Sequence, residues 1–176
     1  GGITEFDIMG LNPGDFPDLP NPGADRTLDM DTADLQEMVD TTLFAVSTDD
    51  KKPAHTGALF SITPEKLTVV ALDGYRLAII EKPVQATKEI DIIIPAKTLS
   101  EVVKLFGEAD EVVHISANRR FVVFATQSYT VISRLIEGEF LDYRRVIPEG
   151  YKTRVTVDVR DFATTIERAS LIITER

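Results

Sequence analysis

The chain repeats itself at two nested periods, and that repetition limits the possible folds more than its composition does. Three segments share one pattern: Leu28-Asp-Met-Asp-Thr-Ala-Asp-Leu35, Ile92-Ile-Ile-Pro-Ala-Lys-Thr-Leu99 and Val155-Thr-Val-Asp-Val-Arg-Asp-Phe162. Asp31, Pro95 and Asp158 take equivalent places, as do Leu35, Leu99 and Phe162, and Val39, Val103 and Ile166. The steps are 64 and 63 residues. A longer step of 124 residues carries Gly14-Asp-Phe-Pro-Asp-Leu19 into Gly138-Glu-Phe-Leu-Asp-Tyr143. The shorter period marks one supersecondary unit reused to build a shared core. The longer one marks a domain made of two such units. A third copy opens near Arg154 and the sequence stops at Arg176, inside its expected helix. The chain is therefore expected to be a piece of a larger repetitive protein.

Periodicity and punctuation give each unit the order β-α-β-β-β. Residues 4–11 alternate around Phe6 and Ile8 and read as a strand closing a preceding unit. Residues 12–26 gather four of the nine prolines, a linker composition. A short strand at Leu28–Met30 leads into a helix with Leu35, Met38, Val39, Thr42 and Val46 on one face, capped by Asp31 or Thr32 and ended by Asp49–Pro53. Strands follow at Thr56–Ile62, Leu67–Leu72 and Tyr75–Glu81, with turns at Pro64–Lys66 and at Asp73-Gly74, a hairpin signal. The second unit runs from a strand at Glu89–Ile94 through a helix from Pro95 to a Gly107 C-cap. Its remaining strands are Val112–Ser116, Phe121–Thr126 and Tyr129–Leu135, with turns at Asn118 and Gln127-Ser128. Gly138–Gly150 is a second linker, and Arg154 onward is the strand and helix of the third unit.

Composition removes several functional classes. With no cysteine, thiolate catalysis, disulfides and cysteine metal sites are excluded. His55 and His114 are the only histidines and read as surface residues rather than bases. No cofactor or metal is expected. No apolar run approaches the roughly 20 residues of a membrane helix. The carboxylates Asp49-Asp50 and Glu108/Asp110/Glu111 fall in turn-like segments, where acids are common, and no phosphate loop or nucleophile elbow is present. The chain is expected not to be an enzyme. Its net charge is −10, with 7 basic and 17 acidic residues in 1–96 against 12 of each in 97–176. Such acidity opposes tight nucleic-acid binding but leaves room for a local basic face.

Four stretches carry a family resemblance: Gly57-Ala-Leu-Phe60, Ala71-Leu-Asp-Gly-Tyr-Arg-Leu-Ala78, Ile94-Pro-Ala-Lys-Thr-Leu99, and the linker Ser133-Arg-Leu-Ile-Glu-Gly-Glu-Phe-Leu-Asp-Tyr-Arg-Arg-Val-Ile-Pro148. Together they resemble the bacterial beta sliding clamps, over essentially the whole chain. The resemblance implies an α+β DNA-clamp fold, with two β-α-β-β-β half-repeats per domain, helices on one face and antiparallel sheets on the other. It implies the tail of a first domain at 1–24, a complete middle domain at 25–149 and the start of a third at 150–176. It also implies a non-catalytic, cytoplasmic, nucleoid-associated ring, a head-to-tail homodimer around duplex DNA that tethers the replicative polymerase. The family's ring interface joins first and third domains, so this chain alone is expected to be a monomer.

Two surfaces follow from the resemblance. Lys97 and Lys104 lie nearly two turns apart on the second helix, share one face, and are expected to look at phosphates. An ordinary solvated helix face is the competing reading, and Asp34, Glu37 and Asp40 make the first helix a poor DNA contact. A pocket for a short apolar peptide of the polymerase, the clamp loader or repair factors is expected from Leu72, Gly74, Tyr75, Arg76 and Leu77 with Leu141, Arg145 and Val146. The family usually has threonine, histidine and proline where Leu72, Tyr75 and Leu141 stand. For Asp73-Gly74 the plain reading is a hairpin turn; for Leu77 and Val146 it is core packing. A repeat-built protein scaffold without DNA binding is the alternative function. Release of the whole protein from DNA on linearisation, but not from circles, separates a ring from such a scaffold.

Overall fold

The computed structural model describes Gly2 and residues 6–15, 26–106 and 111–173, with only the backbone of Arg26. Among the described residues eight strands and three α-helices follow one another as β1 (Arg26–Asp31), α1 (Thr32–Asp40), β2 (Gly57–Ile62), β3 (Lys66–Leu72), β4 (Leu77–Pro83), β5 (Ile90–Pro95), α2 (Ala96–Phe106), β6 (Val112–Ala117), β7 (Phe121–Ala125), β8 (Thr130–Arg134) and α3 (Val159–Ser170). The three helices begin one residue after Asp31, Pro95 and Asp158, so the short repeat marks helix starts, the first two of which follow a strand. Only Asp158 caps with its side chain, accepting from the Arg160 and Asp161 amides. Asp31 makes no such bond, and the Thr32 hydroxyl instead accepts from the Glu111 amide at 3.4 Å.

The half-repeats exchange their first strands. One antiparallel sheet has the order β1-β6-β7-β8 and the other β4-β3-β2-β5. Each thus holds three strands of one half and the leading strand of the other. Backbone bonds tie the sheets together at two corners, from the Thr87 amide to the Thr27 carbonyl (2.8 Å) and from the Ile136 amide to the Ile93 carbonyl (2.9 Å). One core fills the space between: Leu35, Met38 and Val39 from α1, Leu99, Val102 and Phe106 from α2, Phe60, Ile62, Leu67, Val69 and Ile94 from one sheet, and Val113, Ile115, Val122 and Phe124 from the other. The helices pack side by side with these stripes inward. Interlocked strands make the two halves one cooperative body.

Several expectations change. Helix α1 stops at Asp40, well before Asp49, because the Thr41 and Thr42 hydroxyls bond back to the Glu37 (2.6 Å) and Met38 (2.7 Å) carbonyls. A 3-10 turn, Leu43–Ala45, then carries Thr42 and Val46 back to the core. Strand β4 starts at Leu77 rather than Tyr75. Residues 6–12 form no strand, and Phe6 and Ile8 are exposed. Residues 153–157 form none either, with Val155 and Val157 exposed. Alternation supplies a strand's faces but not its partner, and a lone strand has nowhere to send its amides. Strands β1 and β5 each find that partner in the opposite half-repeat. The C-cap expected at Gly107, the carboxylates Glu108 and Asp110, and most of the Gly14–Leu19 motif lie outside the described residues.

Contacts divide the chain into two compact units, 1–140 and 141–176. In the second, a 3-10 turn at Tyr143–Val146 precedes α3, whose Phe162 and Ile166 are exposed.

Candidate peptide-binding and DNA-facing surfaces

The β3–β4 hairpin gathers five of the eight residues expected to hold a peptide. Strand β3 is apolar from Leu67 to Leu72 except for Thr68, and is buried on both faces. Its inward residues, Leu67, Val69 and Ala71, join the core. By alternation Val70 and Leu72 face the opposite side, where the cross-strand pairs Val70–Ile79 and Leu72–Leu77 and the neighbouring Leu59 form a second apolar layer, in which Leu59, Val70 and Leu72 are buried and Leu77 and Ile79 reach the surface. Leu77 is half-buried on that side and lies outside the core, so core packing does not account for it.

The turn beyond these pairs is built by Asp73. Its Oδ1 accepts from the Tyr75 amide (2.9 Å) and the Arg76 amide (3.0 Å), and its Oδ2 accepts from Arg76 Nε at 2.8 Å. Gly74 sits at φ +95°, where a side chain would be strained. Tyr75 projects into solvent, 99% exposed. The Tyr75 and Arg76 amides and the Arg76 guanidinium hold the Asp73 carboxyl down to about 2. A carboxyl lowered in this way stabilises the fold above its ordinary value of 3.8, and the contribution is lost as pH falls through about 2. Asp73→Asn keeps an oxygen for the amides but loses the charge. Melting temperatures measured between pH 4 and pH 2 are therefore expected to fall less in the variant than in the parent.

Leu141, Arg145 and Val146 lie in the second compact unit. The Tyr143–Val146 turn orders them locally. Arg145 Nε meets Asp142 Oδ2 at 2.9 Å, the Arg144 guanidinium lies 4.8 Å from the centre of the Tyr143 ring, and Leu141 and Val146 are exposed. Val146 is thus not a core residue.

Lys97 and Lys104 are both exposed on α2, on the side away from Leu99, Val102 and Phe106. Lys104 pairs with Glu101 at 3.0 Å, whereas Lys97 has no ion pair among the described residues. Helix α1 is less acidic than its sequence. Lys82 donates to Asp34 Oδ1 at 2.8 Å and also to Glu37, and those two hydrogen bonds raise its pKa to about 12. His55 is half-buried, edge-on to Phe140 with ring centres 5.8 Å apart, and burial followed by the charge of Lys52 lowers its pKa. His114 Nδ1 lies 2.9 Å from Asp29 Oδ1.

One residue beside the hairpin went unread in the sequence. Phe44 is 59% exposed on the turn after α1, and the Arg76 guanidinium carbon lies 5.9 Å from its ring centre. The available signal was the position of Phe44 itself, an aromatic on the side of the expected helix opposite Leu35, Val39, Thr42 and Val46.

These residues define a duplicated two-helix, two-sheet domain with an apolar, arginine-bearing hairpin at its surface. Residues 29–142 match the family model of the DNA polymerase III beta subunit, central domain. The beta sliding clamp of Staphylococcus epidermidis is 34% identical over 99% of the chain and 46% of its own length. The DNA polymerase sliding clamp of Bacillus subtilis superposes with a TM-score of 0.92 at 30% identity, covering 99% of this chain and 46% of that one. The DNA polymerase III beta subunit of Thermotoga maritima gives 0.83 at 29%, covering 97% and 47%. The chain belongs to the DNA polymerase III beta subunit family, the sliding clamps. It spans about half the length of the curated relatives it matches. Among the described residues no helix is long and apolar enough to cross a membrane.

Proposed function

We propose that the chain is the central part of a non-catalytic sliding clamp. The whole protein would close as a homodimeric ring around duplex DNA and tether polymerase, clamp loader and repair factors through short apolar peptides. Residues 1–24, 25–149 and 150–176 would be the end of one clamp domain, a complete second and the start of a third. Family membership supports this reading, and the observation that carries it is the β3–β4 hairpin, with Leu72 and Leu77 paired beside an arginine. Apolar burial there supplies affinity, and Arg76 orients polar groups of the peptide. Lys97 supports a weak contact with phosphates. A ring that slides needs loose, salt-screened attraction rather than tight binding, which suits an acidic chain.

The test is a titration of a labelled short peptide with apolar anchor side chains, read by fluorescence anisotropy. Weak saturable binding is expected. Leu77→Asp puts a charge on the apolar face and is expected to weaken it at least about tenfold, since an unpaired desolvated carboxylate costs more than about 1.4 kcal/mol. Equal binding by both chains would remove the hairpin from the site.

A further inference from the structure

Arg76 is held from two directions by groups of different chemistry. Its Nε is engaged by Asp73 Oδ2 at 2.8 Å, and its guanidinium carbon lies 5.9 Å from the centre of the Phe44 ring. The side chain nevertheless remains 59% exposed. Asp73 is held in turn by the two amides of its own turn, while Phe44 stands on the 3-10 turn that packs against β3. A free arginine would lose much rotamer freedom on gripping a ligand; two contacts already restrict this one. Its charge is also compensated by Asp73. The Nη edge therefore suits a neutral acceptor, the carbonyl oxygen of an extended peptide, better than a second carboxylate.

We infer that Phe44 is a positioning residue for Arg76 and so sets the strength with which the hairpin holds a partner peptide's carbonyl. The inference rests on the peptide-binding reading above. The ring acts through its π face, so bulk alone does not replace it.

The 176-residue chain is titrated with the same labelled apolar peptide as Phe44→Leu, Phe44→Tyr and Arg76→Ala, and as the double variant Phe44→Leu/Arg76→Ala. Phe44→Leu is expected to weaken binding about two- to five-fold, the scale of an exposed cation–π contact. Phe44→Tyr, which keeps the face, is expected to bind as the parent does. In the Arg76→Ala background Phe44→Leu is expected to change nothing, a coupling that a merely structural role would not produce. Full binding by Phe44→Leu, or an equal loss with and without Arg76, overturns the inference while leaving the peptide site standing. No saturable binding by the unmodified chain overturns the site and the inference together.

Discussion

Phe60→Ala is expected to destabilise the chain by about 3–5 kcal/mol, the range for an aromatic removed from a close-packed interior. Phe60 is fully buried and is among the largest side chains of the core. It lies in the middle of β2, opposite Val69 of β3 and Ile92 of β5. Because β5 belongs to the second half-repeat, the ring packs across the seam between the two halves, and neither half can close the void by moving alone. Small and medium-sized domains have only about 5–15 kcal/mol in total. Urea unfolding is the measurement: the midpoint is expected to fall sharply with little change in slope. The same truncation at Phe44, which is exposed, is expected to cost less than about 1 kcal/mol. A small effect at Phe60 would mean that the interior does not pack as the buried ring requires.

What the sequence made legible follows the range of the interactions. Turn chemistry is local, so Asp73-Gly74, Asn118 and the Thr126–Tyr129 turn are found where they were expected. In each, the leading side chain accepts from amides two and three residues ahead. Strand β3 begins within one residue of its expected start for the same reason: a turn bounds it, and its run is apolar but for Thr68. Strand pairing is not local. Leu28–Met30 reads alike whichever sheet it joins, and its partner, around His114, is 85 residues away from Asp29. The exchange of first strands therefore left no mark in the periodicity that revealed the two halves. The same limit explains the strands expected at residues 4–11 and at Val155–Val157. The candidate site divides likewise. Leu72 to Leu77 were readable as one hairpin, whereas Phe44 meets Arg76 only through the early end of α1.

Gly57→Ala is expected to destabilise the fold by about 3 kcal/mol or somewhat more, at the upper end of overpacking effects. Gly57 is extended, with φ −132°, so the requirement there is space and not an unusual backbone angle. A Cβ would stand 2.3 Å from the Ile94 carbonyl oxygen and 2.8 Å from Ile136 Cδ1. The isoleucine side chain can swing away, but the carbonyl belongs to β5, which is paired with β2 along its whole length from Gly57–Pro95 to Ile62–Ile90. Relief would have to come from opening that ladder at its end. The residue before Ile94 accepts the Ile136 amide, so opening also strains the corner joining the two sheets. One methyl group thus acts on the strand exchange itself. With about 2–4 °C per kcal/mol for a chain of this size, the melting temperature is expected to drop roughly 6–12 °C. Gly57→Ala with Ile136→Ala separates the two clashes: if the side chain were the obstacle, the second change would restore stability, whereas a backbone obstacle leaves the double variant at least as unstable as the single one.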